Sequence, residues 1–591
     1  MIEFTTDEDK AKFLQKQLEF LTLLREPYEA MVDNIITFVN HSRRKIVDED
    51  VRSSGSGNSN KGKRTGDEVY DGTALSAANL AADGIHGYMC SPSIHWFDLT
   101  LPGKLNFAKT SGMRAWSGKR TDEYPEVKVW LDECEEVLYP AFRRSNFYDF
   151  HPDFTKEGIT VGTGTAIVEE DIKEGRINFT LPHFRECYIA ENQFGKVDTL
   201  YRKYKLTLRQ LVQKFGKEKI FALDTNFKIQ YEKNPYTEKE IVHATFPRSD
   251  YDPSKLDGKN KPIASFWMLP HANKAKIIDE SGYWELPNVT WRWRKNSSEL
   301  YGRSPAWDAY VDICKGNAQA ETNLVAGHKM VDPAMVAPSD LRGKVNSDPG
   351  GWTWIDGAVT KDKIPVPAIT GIQLPYGQDQ QDRTDKSIKE HFHVDFFLML
   401  NQAAFNKVPL TATQVVGMQG EQAAVLGTRI GRHQSEGLNP LMDRVWNIEE
   451  RAGRLPQPPQ ILMDLGGGQN IEIDYLGPLS QAQKLTGIQS IRAGIEIAKE
   501  FASVPGMEMA IDVIDADKTL TEALNVVGFP AKCLKEQSTV DQVRAIRQQQ
   551  QKAAQDLEAM GEMAKAGQRL TRKVEKGSGI DMMTGGEMVQ E

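Results

Sequence analysis

Apolar residues recur at three- or four-residue spacing from the beginning of the chain. Phe13, Leu18, Leu21, Leu24, Tyr28, Met31, Ile35 and Phe38, with charges between them, predict a helix over 7–48. The polar run Ser53 to Arg64 that follows has the composition of a flexible loop. A second helix is expected from near Asp67 through the alanine-rich stretch ending at Met89, before Ser91-Pro92. Its small residues suit close helix packing better than a solvent face.

From about Asn106 to Lys295 the pattern changes period. Val127 to Tyr139 predicts a helix with Val129, Leu131, Val137 and Leu138 on or near its apolar side. Short alternating runs then predict strands: TAIVEED, INFTLP, CYIAEN, TLYRKYKL, KIQYEK and IVHATF, separated by Asn, Asp, Gly and Pro clusters. This is the signature of an α+β region with antiparallel strands, without regular βα alternation or internal repeat.

The helical period returns at Ser304-Pro305, with proline in the first turn where its missing N–H is not needed, and it lasts until Asp332-Pro333. Six prolines between Pro333 and Pro375, with the glycines Gly350, Gly351, Gly357 and Gly371, mark turns and short strands. A further helix is expected from Asp379, as N-cap, to Gln402, with Ile388, Phe392, Phe396 and Met399 on one side. A small non-helical module is thus inserted between two helices, which such short connections leave as antiparallel neighbours.

After Pro409 a long helix begins, with Thr411 or Thr413 as its cap. Its stripe runs through Val415, Met418, Leu426, Ile430, His433, Leu438, Leu441, Val445 and Ile448. Pro440 falls inside it and should kink it, and the prolines after Leu455 should end it. A short strand pair is expected around IEIDYLGPL, then a helical block from Ser480 to about Gly567. Its Gln- and Ala-rich part is too weakly apolar to stand alone, so it should pack with copies of itself or project from an assembly.

Composition narrows the chemistry. The 591 residues exceed one compact core, so several domains are expected. No stretch reaches the ~18 consecutive apolar residues of a membrane span, and the acidic first residues lack a secretory h-region, which predicts a cytosol-like setting. Cys90, Cys134, Cys187, Cys314 and Cys533 are odd in number and far apart, so reduced thiols are expected rather than disulfides or structural zinc. The net charge of −9 lacks the basic surplus that tight nucleic-acid binding draws on, although passage of DNA is compatible with it.

Enzyme signatures are mostly missing. There is no GxxxxGK[ST] phosphate loop and no GxSxG nucleophile elbow. Val161-Gly162-Thr163-Gly164-Thr165 begins like a dinucleotide fingerprint, but the third glycine would fall at Ile167, so a tight turn between strands is expected. His391 and His393, two residues apart on a helix, point to different faces and do not share a metal. The acidic clusters Glu169-Glu170-Asp171 and Glu133, Glu135, Glu136 read as solvated charge. No catalytic, metal or cofactor site is expected, and the chain is read as a non-enzyme.

The order of the pieces and several fragments carry a family resemblance. These are Tyr70-Asp71-Gly72-Thr73-Ala74, Trp96-Phe97, Trp291-Arg292-Trp293-Arg294-Lys295, Tyr301-Gly302-Arg303-Ser304-Pro305-Ala306, Pro349-Gly350-Gly351, Pro409 to Val415, Leu426-Gly427 and Leu438-Asn439-Pro440-Leu441. Together they resemble the head-to-tail connector, or portal, proteins of podovirus-type (short-tailed) phages, over about Asp67 to Leu476.

The resemblance implies an α+β, mostly helical ring subunit. Its parts would be an N-terminal wing (1–304), stem helices (305–330 and 379–402) around a small α/β clip (331–378), and a channel loop (403–411). The wing would then be completed by the long kinked helix and strands (412–477), followed by a helical crown or barrel (478–570) and a disordered tail (571–591). It further implies a dodecameric homo-oligomer in the virion, at the capsid portal vertex, assembled in the host cytoplasm with major capsid and scaffolding proteins. Double-stranded DNA would pass through it in packaging and ejection, irrespective of sequence. The terminase and then the tail adaptor would dock on the clip; no membrane and no cofactor are implied.

Within that frame Asn401, Gln402, Phe405, Asn406, Lys407, Val408 and Pro409 are the residues expected to face DNA. Lys407, the only charge among them, becomes a positive ring in an oligomer, or else a solvated loop residue while Phe405 and Val408 pack on a neighbour. Lys344, Trp352, Trp354, Lys361 and Lys363 are the clip's docking candidates; the two tryptophans serve equally as the module's own core. Trp291 and Trp293 read as structural, and Gly316, Ala318, Ala320, Ala326 and Gly327 would let neighbouring stem helices approach closely. Two rival readings remain at this level: a packaging enzyme, which needs the missing phosphate loop, and another oligomeric virion component such as a tail tube or internal core protein.

Overall fold

The structure is a computed structural model. It describes residues 6–40, 69–93, 95–100, 125–331 without 249–250, 253, 256 and 271–274, and then 335–336, 366–367, 374–394, 427–460, 462, 472–476, 491–501, 514–515, 519–520, 523–524 and 537–571. The chain divides into two compact units. The first comprises Met1–Thr100, Glu133–Gln457 and Ile471–Ile511, and the second Leu101–Asp132, Pro458–Asn470 and Asp512–Glu591.

The first unit opens with helix α1 (Asp7–Val39), capped by the Thr6 hydroxyl, which accepts from Asp9 N. It passes over two cores in turn. Leu14, Leu18 and Leu21 pack with Tyr188, Tyr201, Val242, Ala244, Ala264, Phe266 and Met268. Val32 and Ile36 pack with Val161, Ile167, Phe184, Ile189, Leu200 and Tyr301. Leu24, expected on the buried stripe, is exposed instead.

The unit contains a five-stranded antiparallel sheet in the order β4 (Cys187–Glu191), β5 (Val197–Thr207), β6 (Glu238–Pro247), β7 (Ile263–Leu269), β8 (Lys276–Tyr283). Its strands obey the two-residue period. Val242 and Ala244 face α1, whereas Ile241, Trp267 and Ile278 meet Leu208, Leu211, Ile220 and Phe227 on the far face. Those far-face residues come from three short helices, α5 (Leu208–Phe215), α6 (Lys217–Leu223) and α7 (Thr225–Lys233). The expected strand KIQYEK is therefore the body of α7. Asp224 decides it, since its carboxylate accepts from Asn226 N at the helix start, and only Phe227 of the segment is buried.

Helix α2 (Thr73–Met89) begins later than expected, because Asp71 Oδ1 accepts from both Thr73 N (2.9 Å) and Thr73 Oγ1 (2.7 Å). Its Ala74, Ala77, Ala78, Ala81 and Ala82 are buried. Strand β1 (Phe97–Thr100) is followed by α3 (Pro125–Arg144) and then by a helix absent from the sequence pattern, α4 (Phe147–Val161). Pro152 and five aromatic or histidine side chains hid its period, yet Pro152 sits within the first two turns and the aromatic rings fill the core. Gly162, at φ 94°, ends α4 and opens β2 (Thr163–Asp171). The glycine pair thus marks a helix-to-strand turn, not the strand-to-strand turn expected.

A three-stranded sheet places β2 between β3 (Arg176–Thr180) and β9 (Asn288–Arg292). After it come a one-turn helix α8 (Pro305–Asp308), capped by Ser304, and helix α9 (Tyr310–Val331). Two residues of β10 (Met335–Val336) pair with two of β11 (Val366–Pro367) before α10 (Leu374–His391). Helix α10 starts before Asp379, since Pro375 is tolerated in a first turn, and Asp379 instead pairs with Arg383 at 2.9 Å. It ends at His391 rather than Gln402, and His393 takes a left-handed φ of 56°.

Residues 427–432 are helical and run into a wide π turn, His433–Leu438, in which Asn439 N donates to Gln434 O. Helix α11 (Asn439–Arg451) follows. Pro440 cannot donate, and it lies in the first turn after the wide π turn. The helix ends before the prolines, at Gly453 with φ 68°. Strand β12 (Glu472–Tyr475) pairs with β1, so the partner of IEIDYLGPL comes from the far end of the sequence. A helical stretch over 491–501 completes what is described of this unit.

In the second unit the longest element is α12 (Gln537–Thr571), along which Val543, Ile546, Leu557, Met560 and Met563 are exposed. Cys90, Cys134, Cys187 and Cys314 are free thiols. Among the described residues no helix is long and apolar enough to cross a membrane, and no group of His, Cys, Asp and Glu has a metal-holding geometry.

Candidate functional site: a helix pair and its anchor

Helices α9 and α10 run side by side in opposite directions, and polar side chains hold their register. Asp312 Oδ2 accepts from Ser387 Oγ (2.7 Å) and lies 3.6 Å from His391 Nε2. One turn on, Thr384 Oγ1 donates to Gln319 Oε1 (2.9 Å). A turn further, Asn323 Nδ2 donates to Gln381 Oε1 (2.9 Å) and to the Gly377 carbonyl (3.2 Å). Each such neutral bond contributes only about 1 kcal/mol net, but the rungs match in one register alone. Ser387, Asp312 and His391 do not form a hydrolytic triad, because the carboxylate stands between the hydroxyl and the imidazole.

Glycine sets the approach of the pair. A Cβ on Gly316 would meet Asp71 Oδ2 at 3.0 Å and Thr384 and Ile388 side chains at 3.4 and 3.5 Å, and one on Gly377 would collide with the Asn323 amide. The small residue at 316 therefore serves packing inside the chain, where the sequence reading gave it to neighbouring subunits. Gly327 has open space around it. The opposite side of α9 is unburied: Val311, Ala318 and Val325 follow one another at seven-residue spacing, with Leu324, Met330 and Val331 nearby, all exposed. Asp385, on α10 near Asp71, has its carboxyl raised by burial and by that neighbouring carboxylate.

The foot of the pair is anchored in the core of the first unit by the tryptophan–arginine motif. Trp291 and Trp293 are buried, as expected of structural residues. Between them Arg292, 1% exposed, satisfies all five guanidinium N–H groups. It donates to Glu436 through Nε (3.1 Å) and Nη2 (3.0 Å), to Gly195 O (3.0 Å), to Leu300 O (3.3 Å) and to Glu191. Lys295 Nζ joins Glu191 at 2.6 Å. The carboxylates raise the arginine's basicity against the opposing effect of burial. One side chain thus ties β9 to the π turn, the β4–β5 turn and the loop before α8.

Next to it the backbone closes tightly. Gly302 N donates to Thr163 Oγ1 (2.9 Å), Ser304 Oγ donates to Thr160 O (2.8 Å), and a Cβ on Gly302 would strike the Gly162 carbonyl. A Cβ on Gly158 would strike the Trp291 ring. Where α10 ends and residue 427 resumes, Pro305, Asp308, Ser387, Glu390, His391, His393 and Arg429 line a cavity of about 210 Å³. Burial and Arg429 push His393 down to about 4, while Arg294 pairs with Asp308 at 3.0 Å. Charges of both signs meet here, and the hydroxyl of Ser387 is engaged by Asp312.

The residues singled out from the sequence for DNA and docking lie outside the described residues. This holds for Asn401, Gln402, Phe405, Asn406, Lys407, Val408 and Pro409, and for Lys344, Trp352, Trp354, Lys361 and Lys363. What the structure adds is the frame around both sets: β10 and β11 bring the ends of 337–365 together, and α10 and the helix from 427 bracket 395–426. The rungs of the helix pair and the Arg292 anchor were missed in the sequence. Arg292 stood between two tryptophans, a context in which a lone charge needs partners, but Glu191 and Glu436 carry no local mark.

Residues 11–534 match the family model described as bacteriophage head to tail connecting protein. The chain belongs to that family. It is 28% identical over 564 residues, 95% of either chain, to the portal protein of Salmonella phage epsilon15. It is also 27% identical over 514 residues to the probable portal protein of Bordetella phage BPP-1, covering 86% of this chain and 88% of that one. The chain is thus similar along nearly its whole length to a portal protein and a probable portal protein of two phages.

Proposed function

We propose that this connector is one subunit of a dodecameric ring at the portal vertex of a short-tailed phage capsid, the conduit through which double-stranded DNA is packaged and ejected. The observation that carries the reading is the helix pair. Its inner side is stapled by hydrogen bonds, and an apolar stripe at Val311, Ala318 and Val325 is exposed among the described residues. A second copy set beside it would cover that stripe. The helices are the stem, residues 331–378 the clip, which receives the terminase and later the tail adaptor, and 403–411 the channel loop. The exposed α12, with apolar residues at 543, 546, 557 and 560, packs with copies of itself as part of the crown.

A conduit must let a polyanion slide, and the net charge of −9 keeps phosphate from adhering. Lys407 supplies a ring of positive charge that meets the backbone without reading sequence. The ring forms in the host cytoplasm with major capsid and scaffolding proteins. Electron microscopy and mass measurement of the purified chain test this: closed rings with a central channel are expected. A monodisperse monomer that hydrolyses ATP or cuts DNA overturns it. Lys407→Ala should leave ring assembly intact and lower DNA retention or packaging; unchanged packaged-genome length and stability would remove the loop from the channel's function.

A further inference from the structure

We propose that His86, His151 and His433 form a proton-sensitive latch that holds the π turn of the long helix against the wing core. The three rings come from three elements and stand in a row. His86 Nδ1 lies 3.0 Å from His151 Nδ1, and His151 Nε2 lies 3.2 Å from His433 Nε2. His151 is wholly buried, His433 is 2% exposed and His86 is half-buried. A Cβ on Gly437 would meet His433 Nδ1 at 3.0 Å, so the glycine makes room for the last ring. The inference concerns packing inside one chain and stands whether or not the chain forms a ring.

Proton counting gives the row its switching property. A neutral imidazole has one N–H and one bare nitrogen. Three neutral rings satisfy both contacts with all donors pointing one way along the row. One additional proton is still compatible, with His151 donating to both neighbours, but it places an uncompensated charge at the centre. A second additional proton sets two N–H groups against each other at about 3 Å, and the row must part.

The surroundings favour the neutral row. The His433 ring lies 4.2 Å from the Trp291 ring, and Phe147 and Phe154 adjoin His151. Cys90 Sγ is 3.7 Å from His151 Nε2, and burial keeps that thiol protonated. Tyr148, raised by burial, adjoins His86 and feels Arg143. From α2, Asp83 acts on His86 alone. On the π turn Glu436 is committed to Arg292 and Arg432. Tyr475 is raised by burial and feels Asp443 of α11, and Glu157 is the buried carboxyl of α4.

Burial lowers His433 to about 3 and His151 well below its ordinary value, and it also lowers His86. Released, each ring would titrate near ~6.5. The stabilisation is therefore complete above ~6.5 and is lost as pH falls from there toward the depressed values. Each ring contributes up to a tenfold change in the closed-to-open ratio per pH unit.

Hydrogen exchange of the full-length protein between pH 7.5 and 5, corrected for intrinsic rates, reads the latch directly. Peptides covering 427–440 should open at least tenfold more per pH unit below ~6, relative to peptides of α1, which contains no histidine. Parallel behaviour of the two regions overturns the proposal. His433→Phe keeps an aromatic ring against Trp291 and should remove one tenfold step of that dependence. Should that variant fail to fold, His86→Gln at the half-exposed end of the row gives the same reading. An unchanged pH dependence in whichever variant folds also overturns it.

Discussion

Helices α4 and α9 are built from the same chain but are completed differently. Of the fifteen residues of α4, ten are buried: it is enclosed by the chain's own rings, from Phe147 and Phe150 to Phe154 and His151. The twenty-two residues of α9 bury only Ile313 and Gly316, and the helix is held to α10 by polar rungs. A helix enclosed by its own chain has its stability written into the subunit. One that leaves Val311, Val325 and Val331 in water keeps an apolar surface that a second copy would cover under the proposed ring.

The contrast can be broken most sharply at Arg292. Arg292→Ala strips Glu436 and Glu191 of their buried partner, leaving them only Arg432 and Lys295, and should cost about 3 kcal/mol of stability, measured by chemical denaturation. A loss under 1 kcal/mol would mean that the anchor is not what fixes the helix pair to the sheets of the first unit. Next comes Asn323→Ala on the inner side of α9. Two hydrogen bonds disappear from a half-solvated rung, so a loss of about 1 kcal/mol is expected. A loss as large as that at Arg292 would place α9 in the same class as α4. Smallest in the isolated subunit is Val325→Asp, within about 0.5 kcal/mol. In mass measurement the same variant should reduce assembly, and full assembly would remove the apolar stripe from the interface.

The two helices also differ in how legible they were. The end of α9 could be read from Asp332-Pro333, whereas Ser304-Pro305 starts the one-turn α8 and the expected single helix is broken at Ala309, because caps and prolines act over only a few residues. Helix α4 could not be read, because its rings are aromatic all round and Pro152 interrupts the pattern; only the core that receives them makes the segment helical. KIQYEK alternates like a strand, but Asp224 one turn earlier starts a helix. The channel-loop and clip residues were chosen by resemblance, and the rungs Asp312–Ser387, Gln319–Thr384 and Asn323–Gln381 had no signal, since polar residues on a helix face ordinarily point to water.

The sequence alone determined the α+β character, the two helices flanking a Pro- and Gly-rich stretch and the missing enzyme motifs. Each of these rests on local period, caps or residue types. The tertiary structure decided the partners: β1 with β12, Arg292 with Glu436, His151 with His86 and His433. These pairs are separated by 65 to several hundred positions, as the closest of them, His86 and His151, shows. No local rule links such positions, because a buried charge or imidazole constrains only the chemistry its partner must have, and the path of the backbone selects which residue supplies it.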